Sequence, residues 1–126
     1  MYVSLNKSTL NITSVNDSNE VPTFPIPATA DFTTEWIAIY KEAKVLTFDI
    51  LPSGFNGTGT LKLEHTRNKV NLYDLLDSTH SVFSIGLTSA NEASCIVTEN
   101  FPFGFIRAKY TKGTNSTGTL TILLEQ

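Results

Sequence analysis

The stretch Phe103-Gly-Phe-Ile-Arg-Ala-Lys-Tyr-Thr-Lys-Gly-Thr-Asn-Ser-Thr-Gly-Thr-Leu-Thr-Ile-Leu-Leu124 sets the expected architecture of this chain. From Phe105 to Tyr110 apolar and polar side chains alternate, which is typical of a strand with one buried and one solvated face. Residues 112–118 are rich in glycine, asparagine and threonine, which suit tight turns, and β-branched and apolar residues resume at Thr119. The stretch therefore predicts a β-hairpin with a loop of about five to seven residues.

An earlier stretch repeats this arrangement. Residues 45–51 are mostly apolar, residues 52–59 form a glycine-rich loop, and residues 60–65 alternate again. Both return segments begin with Thr-Gly-Thr-Leu, where glycine allows backbone angles that a β-branched residue cannot adopt. Two copies are too few for a solenoid, so we predict two corresponding hairpins of one sandwich.

Composition limits the classes of protein to consider. The length of 126 residues fits one domain, and 40% hydrophobic and 17% charged residues are typical of a globular chain. The net charge of −3 and the scattered basic residues predict no nucleic-acid partner, because neutralising phosphates takes clustered lysine and arginine. No segment reaches the ~20 apolar residues of a membrane span, so no membrane association is expected.

The cysteine content and the first residues favour synthesis in a reducing compartment. Cys95 is the single cysteine, so it cannot form an intrachain disulfide, and it is expected to pack as a small buried hydrophobe. The first residues lack the continuous apolar stretch of a secretory signal. We therefore attribute the Asn-x-Ser/Thr sequons to composition and not to glycosylation; they include those that begin at Asn11, Asn16, Asn56 and Asn115.

Residues 1–30 differ from the rest of the chain. Residues 1–13 alternate loosely and fit an edge strand, whereas residues 14–20 are polar and residues 22–27 contain three prolines, which favours extended, unpaired chain. We expect an extended N-terminal arm at 1–30 and a sandwich domain at 31–126. The arm either packs along its own sandwich or is held by a neighbouring subunit.

Short strands account for most of the remaining sequence. Residues 31–44 also fit helical spacing, but the β-branched and aromatic run at 36–40 favours a strand. Residues 70–76 fit a strand or a single helical turn, and residues 81–86 and 95–99 predict strands. With about seven or eight strands and no convincing long helix, the expected fold is all-β: a single antiparallel β-sandwich, jelly-roll-like.

No pattern of reactive residues predicts catalysis or metal binding. His65 and His80 are not at metal-ligand spacing, and no pair of carboxylates is singled out for glycoside hydrolysis. Residues 77–80 contain the residue types of a nucleophilic triad, but sequence neighbours rarely adopt that geometry. We therefore expect no catalytic residue, no cofactor, no metal and no enzyme activity.

Aromatic residues leave one alternative function open, a carbohydrate-binding module. That function requires exposed, coplanar rings, whereas a structural protein would bury them. Because most of the candidates occupy alternating positions, we expect them in the core; they are Trp36, Tyr40, Tyr73, Phe101, Phe103 and Phe105.

Taken in order, several segments resemble small virion structural proteins of tailed bacteriophages. Such β-sandwich modules commonly show a Trp-Ile strand, a Gly-Thr-Leu return strand and a final Arg-x-x-Tyr-Thr strand followed by Gly-Thr-Leu. The similarity spans about residues 32–124, and where these modules often carry Ser-Asn-Asp after the return strand, this chain has Thr66-Arg67-Asn68. The matching segments are residues 35–40, 45–50, 59–68, 105–112 and 118–122.

The resemblance implies a non-enzymatic virion component made in the host cytoplasm. It implies an auxiliary or decoration protein of the head, or a tail or collar component, with capsid or fibre subunits as partners and a possible homo-oligomer. Because extended strands bind by edge addition and insert alternate side chains, we expect the arm to contact the partner through Tyr2, Val3, Leu5, Phe24 and Ile26.

Overall fold

The computed structural model of the chain describes residues 2–7, 12–14, 23–40, 45–76, 79–88, 94–99 and 104–126. These residues form twelve strands, and none of them is helical, so the segment around Trp36 follows the strand prediction in its described part. The strands are β1 (Tyr2–Ser4), β2 (Ile12–Ser14), β3 (Ile26–Pro27), β4 (Phe32–Thr33), β5 (Ile37–Ile39), β6 (Val45–Ser53), β7 (Gly59–Thr66), β8 (Tyr73–Asp74), β9 (Ser84–Leu87), β10 (Ser94–Glu99), β11 (Gly104–Thr111) and β12 (Thr119–Glu125).

The strands form two antiparallel sheets. Sheet A has the order β10-β6-β12-β1-β2, with β3 also beside β12. Sheet B has the order β4-β11-β7-β8, with β5 also beside β11 and β9 beside β7. Every strand pairing is antiparallel. The predicted all-β, antiparallel sandwich is confirmed.

The core lies between the sheets and is filled by alternate residues of the longest strands. Successive side chains of a strand point to opposite faces, and full burial of one large apolar side chain contributes about 1.5–3 kcal/mol. The buried apolar positions are Leu46, Phe48 and Ile50 on β6, Leu61 and Leu63 on β7, Ile106, Ala108 and Tyr110 on β11, and Leu120, Ile122 and Leu124 on β12.

The two predicted hairpins are wrong in their pairing. β6 and β7 lie in different sheets, and so do β11 and β12, so each glycine-rich loop carries the chain across the sandwich. Packed sheets lie about 10 Å apart and five extended residues reach about 16 Å, so such a loop permits either connection. We call β6, β7 and residues 54–58 arch 1, and β11, β12 and residues 112–118 arch 2.

The arches pair with each other. β6 pairs with β12 and β7 pairs with β11. Asn56 and Asn115 are equivalent positions 59 residues apart, and the Asn56 backbone N–H donates to Asn115 Oδ1 at 2.9 Å. In return, the Ser116 backbone N–H donates to Asn56 Oδ1 at 2.9 Å. The repeated Thr-Gly-Thr-Leu therefore marks two copies of one arch and not two hairpins.

The described parts of residues 1–30 belong to the sandwich itself. β1 lies between β12 and β2, and the Leu5 backbone N–H donates to the Ile122 carbonyl at 2.8 Å. Ile26, on β3, is fully buried although prolines flank it. Pro27 lacks an N–H to donate, which limits the length of β3 but not its packing. Of the two arrangements left open, the described residues of the arm pack along their own sandwich.

Candidate functional site

The five residues predicted to contact a partner divide into two groups. Val3, Leu5 and Ile26 lie in the hydrophobic core and are at most 5% exposed, so their assignment as partner contacts is corrected to core residues. Tyr2 and Phe24 lie at the surface, and the Phe24 backbone N–H donates to Ser4 Oγ at 2.8 Å. Partner contact by Tyr2 and Phe24 stays a prediction.

The aromatic residues expected in the core lie outside it wherever they are described. The guanidinium carbon of Arg107 lies 4.1 Å from the centre of the Trp36 ring, and Lys69 Nζ lies 4.4 Å from the centre of the Phe105 ring. Trp36 and Phe105 are both half-buried. Phe105 and Arg107 alternate with the inward-facing residues of β11, so they lie on its outer face. Of the other candidates, Tyr40 and Tyr73 are exposed, and Phe101 and Phe103 lie outside the described residues.

Exposed apolar side chains concentrate at one edge of sheet B. Nine large hydrophobic residues of the described chain are exposed, and five of them fall between residues 70 and 82. Isolated exposed hydrophobic residues are ordinary, whereas several of them along one edge make that edge a candidate interaction surface. We call this group the edge patch; it consists of Val70, Leu72, Tyr73, Leu76 and Val82.

Hydrogen bonds within the turn between β7 and β8 hold the edge patch in place. Thr66 Oγ1 donates to the Asn71 carbonyl at 2.7 Å and accepts from the Lys69 backbone N–H at 3.0 Å. Asn68 Oδ1 accepts from the backbone N–H groups of Val70 and Asn71, both at 2.9 Å. Asparagine side chains commonly fix turns in this way. The turn is therefore ordered before any partner arrives.

A pocket of about 600 Å³ opens beside the edge patch, at the end of β7 and β8, and shares Tyr73 and Leu76 with it. β-pairing places His65 opposite Tyr73, and their ring centres are 5.6 Å apart with 31° between the planes. The turn adds the polar side chains that complete the wall. The lining residues are His65, Arg67, Asn68, Asn71, Tyr73, Asp74 and Leu76.

The charged side chains that line the pocket are Arg67 and Asp74. Glu64 lies opposite Asp74 across the strands, and its Oε1 is 3.4 Å from Arg107 Nε. Arg107 Nε makes no hydrogen bond to any described residue, so this contact is an ion pair only. Burial, with a smaller effect from Arg67, lowers the pKa of His65 below its ordinary value. Asp74 and Arg67 therefore supply the opposite charges of the pocket, and His65 is neutral at pH 7.

Acidification should destabilise the fold through His65. Its pKa in the folded chain lies below the ordinary value of 6.5, so the unfolded chain binds a proton that the folded chain does not. This cost is absent above about pH 6.5 and complete below the folded pKa. Urea unfolding between pH 5 and 7.5 should show stability rising with pH, and the slope should weaken in His65→Asn. A His80→Asn variant keeps His65 and should keep the slope; equal slopes in all three proteins would exclude this origin.

The sequence analysis did not single out residues 70–76 as a site and left them as a strand or a single helical turn. Residues 70–76 combine five apolar or aromatic side chains, but alternation leaves open whether a short apolar run faces the core or the solvent. Only Leu75 packs against the core; it is half-buried, and its backbone N–H donates to the Leu63 carbonyl at 2.9 Å. The edge position of β8 leaves its neighbours uncovered.

Comparison of the chain with protein-family models, curated proteins and solved structures finds no match. Within the ranges that the structure describes, no three or more histidine, cysteine, aspartate or glutamate side chains are grouped to hold a metal ion. The same residues include no helix long and apolar enough to cross a membrane.

Proposed function

We propose that this chain is a non-enzymatic structural protein of a tailed-bacteriophage virion, an auxiliary or decoration protein of the head. It binds capsid or fibre subunits through the edge patch. The observation that carries the proposal is the concentration of five exposed apolar side chains on an ordered edge of the sandwich. The order of strand motifs that resembles small virion proteins supports the setting.

The physical properties of the edge patch suit binding to a protein surface. Val70 is 77% exposed, and burying such a side chain fully in a complex contributes about 1.5–3 kcal/mol. Because Thr66 and Asn68 already order the turn, little conformational entropy is lost on association. The surface that fits it is an apolar recess on a virion subunit.

The test is binding of the full chain to virion particles assembled without it. In a co-sedimentation titration, the double variant Val70→Ser/Leu72→Ser should bind at least about tenfold more weakly, which corresponds to ~1.4 kcal/mol. Val45→Ser is the matched control, because Val45 is also exposed, at 46%, but lies at the start of β6 in sheet A.

The control variant should bind as the wild type does, and both variants should show the same circular dichroism and unfolding midpoint as the wild type. Unchanged particle binding by the double variant would remove the edge patch from the proposal. Failure of the wild-type chain to bind any part of the particle would overturn the virion function itself.

A further inference from the structure

We propose that the pocket beside the edge patch binds a neutral sugar residue, with the Tyr73 ring as stacking surface and Arg67, Asn71 and Asp74 as hydroxyl ligands. This site is a further function, beyond the protein contact proposed above. It gives the chain a second type of ligand, a glycan.

The Tyr73 ring forms an aromatic wall of the pocket. Tyr73 is 55% exposed, and its ring is held by the tilted contact with His65. A ring fixed in this way offers a flat apolar face, with a polar hydroxyl at its tip, at low entropic cost. Leu76 extends the apolar surface. The C–H face of a pyranose ring is the part of a sugar that matches such a wall.

Polar side chains line the pocket beside the Tyr73 ring. Within the described part of the chain, the side chains of Arg67, Asn71, Tyr73 and Asp74 have no hydrogen-bond partner. Guanidinium, amide and carboxylate groups are planar and offer paired donors or acceptors. Neighbouring hydroxyls of a sugar, each a donor and an acceptor, engage such groups two at a time.

The charge and the volume of the pocket limit the class of ligand that it can bind. Arg67 and Asp74 offset each other and His65 is neutral at pH 7, so the pocket has no excess charge to select a phosphate or a cation. A volume of about 600 Å³ lies within the ~300–1,000 Å³ of small-molecule sites. A small, uncharged ligand rich in hydroxyl groups fits the aromatic wall, the polar side chains, and the charge and volume of the pocket.

The experiment is a nuclear magnetic resonance titration of the isotope-labelled full chain with glucose, galactose, N-acetylglucosamine and lactose, and with anionic N-acetylneuraminic acid. At least one neutral sugar should shift the amide signals of residues 65–76 with a Kd on the order of 1 mM, the usual strength of a few contacts to a small ligand. Tyr73→Ala and Asp74→Ala should each weaken that binding at least about tenfold.

Val70→Ser separates this site from the proposed virion contact, because Val70 belongs to the edge patch but does not line the pocket. It should keep sugar binding while reducing particle binding. No response to any neutral sugar at 50 mM, a response to the anionic sugar alone, or sugar binding unaffected by Tyr73→Ala would each overturn the site and leave the virion proposal standing.

Discussion

Replacing Gly118 with alanine should lower the free energy of unfolding by about 4 kcal/mol, the largest single-residue effect we expect. Gly118 has a φ of +86°, a region that side chains rarely adopt, and an added Cβ would overlap the Ser53 carbonyl oxygen and lie 2.7 Å from that of Gly54. Both neighbours are backbone atoms of arch 1, so they cannot move aside as a side chain would. Urea unfolding measured by tryptophan fluorescence gives the change directly.

Gly86→Ala is the matched control for this prediction. Gly86 lies on β9, its φ is not positive, and an added Cβ would meet nothing within 4 Å. Its replacement should therefore change stability by no more than about 0.5 kcal/mol. Similar losses in the two variants would show that contact between the two arches does not depend on this glycine.

Asn115→Ala should cost about 3 kcal/mol, because the amide of Asn115 serves several buried groups at once. Its side chain is fully buried, and Nδ2 lies 2.8 Å from the Thr117 carbonyl and 3.1 Å from both the Ala28 carbonyl and Tyr110 Oη. Its Oδ1 accepts from the Asn56 backbone N–H. Alanine would remove all of these bonds at once, and with them one of the links from arch 2 to arch 1 and to residue 28.

The control lies at the equivalent position of the other arch. Asn56 is exposed, and among the described residues its side chain bonds only to Ser116, through the backbone N–H and through Oγ, both at 2.9 Å. Because solvent can replace these bonds, Asn56→Ala should cost about 1 kcal/mol. The comparison requires only the difference between two denaturation midpoints; equal losses would contradict the central role of the buried amide.

Sequence alternation located the main strands well. β6, β7, β11 and β12 coincide with segments expected from their period of two, because that period follows from which face of the strand is buried. Alternation carries no information on the neighbouring strand, and a loop of this length suits a hairpin and an arch alike. The pairing of β6 with β12 depends on contacts about 70 residues apart in sequence, which no local pattern reveals.

The repeat of Thr-Gly-Thr-Leu was informative, but glycine is required for a different reason in each copy. Gly118 has the positive φ that was expected at both positions. Gly59 does not; there, an added Cβ would lie 2.7 Å from the Tyr110 ring, so close packing and not backbone conformation excludes a side chain. Matching residues at equivalent positions therefore need not have matching physical reasons.

The candidate site was harder to predict than the fold. The partner contacts were assigned to residues 1–30 because proline content and polarity there indicated an extended arm. These two properties do not show that the side chains of Val3 and Leu5 are buried in the core. The pocket combines His65 with Tyr73 and Asp74, which are joined only through the register of β7 and β8. Exposure at an edge is a property of the assembled sheet, so composition alone could not reveal it.

The central place of β12 in sheet A also governs the order of events during biosynthesis. β12 separates β6 from β1 and is the last of these strands to leave the ribosome. At about 5–20 residues per second, the synthesis of β12 is complete roughly 4–16 s after that of β6 begins. Until β12 is made, one edge of β6 and one edge of β1 have no partner strand, so the yield of folded protein should depend on chaperones that bind emerging chains.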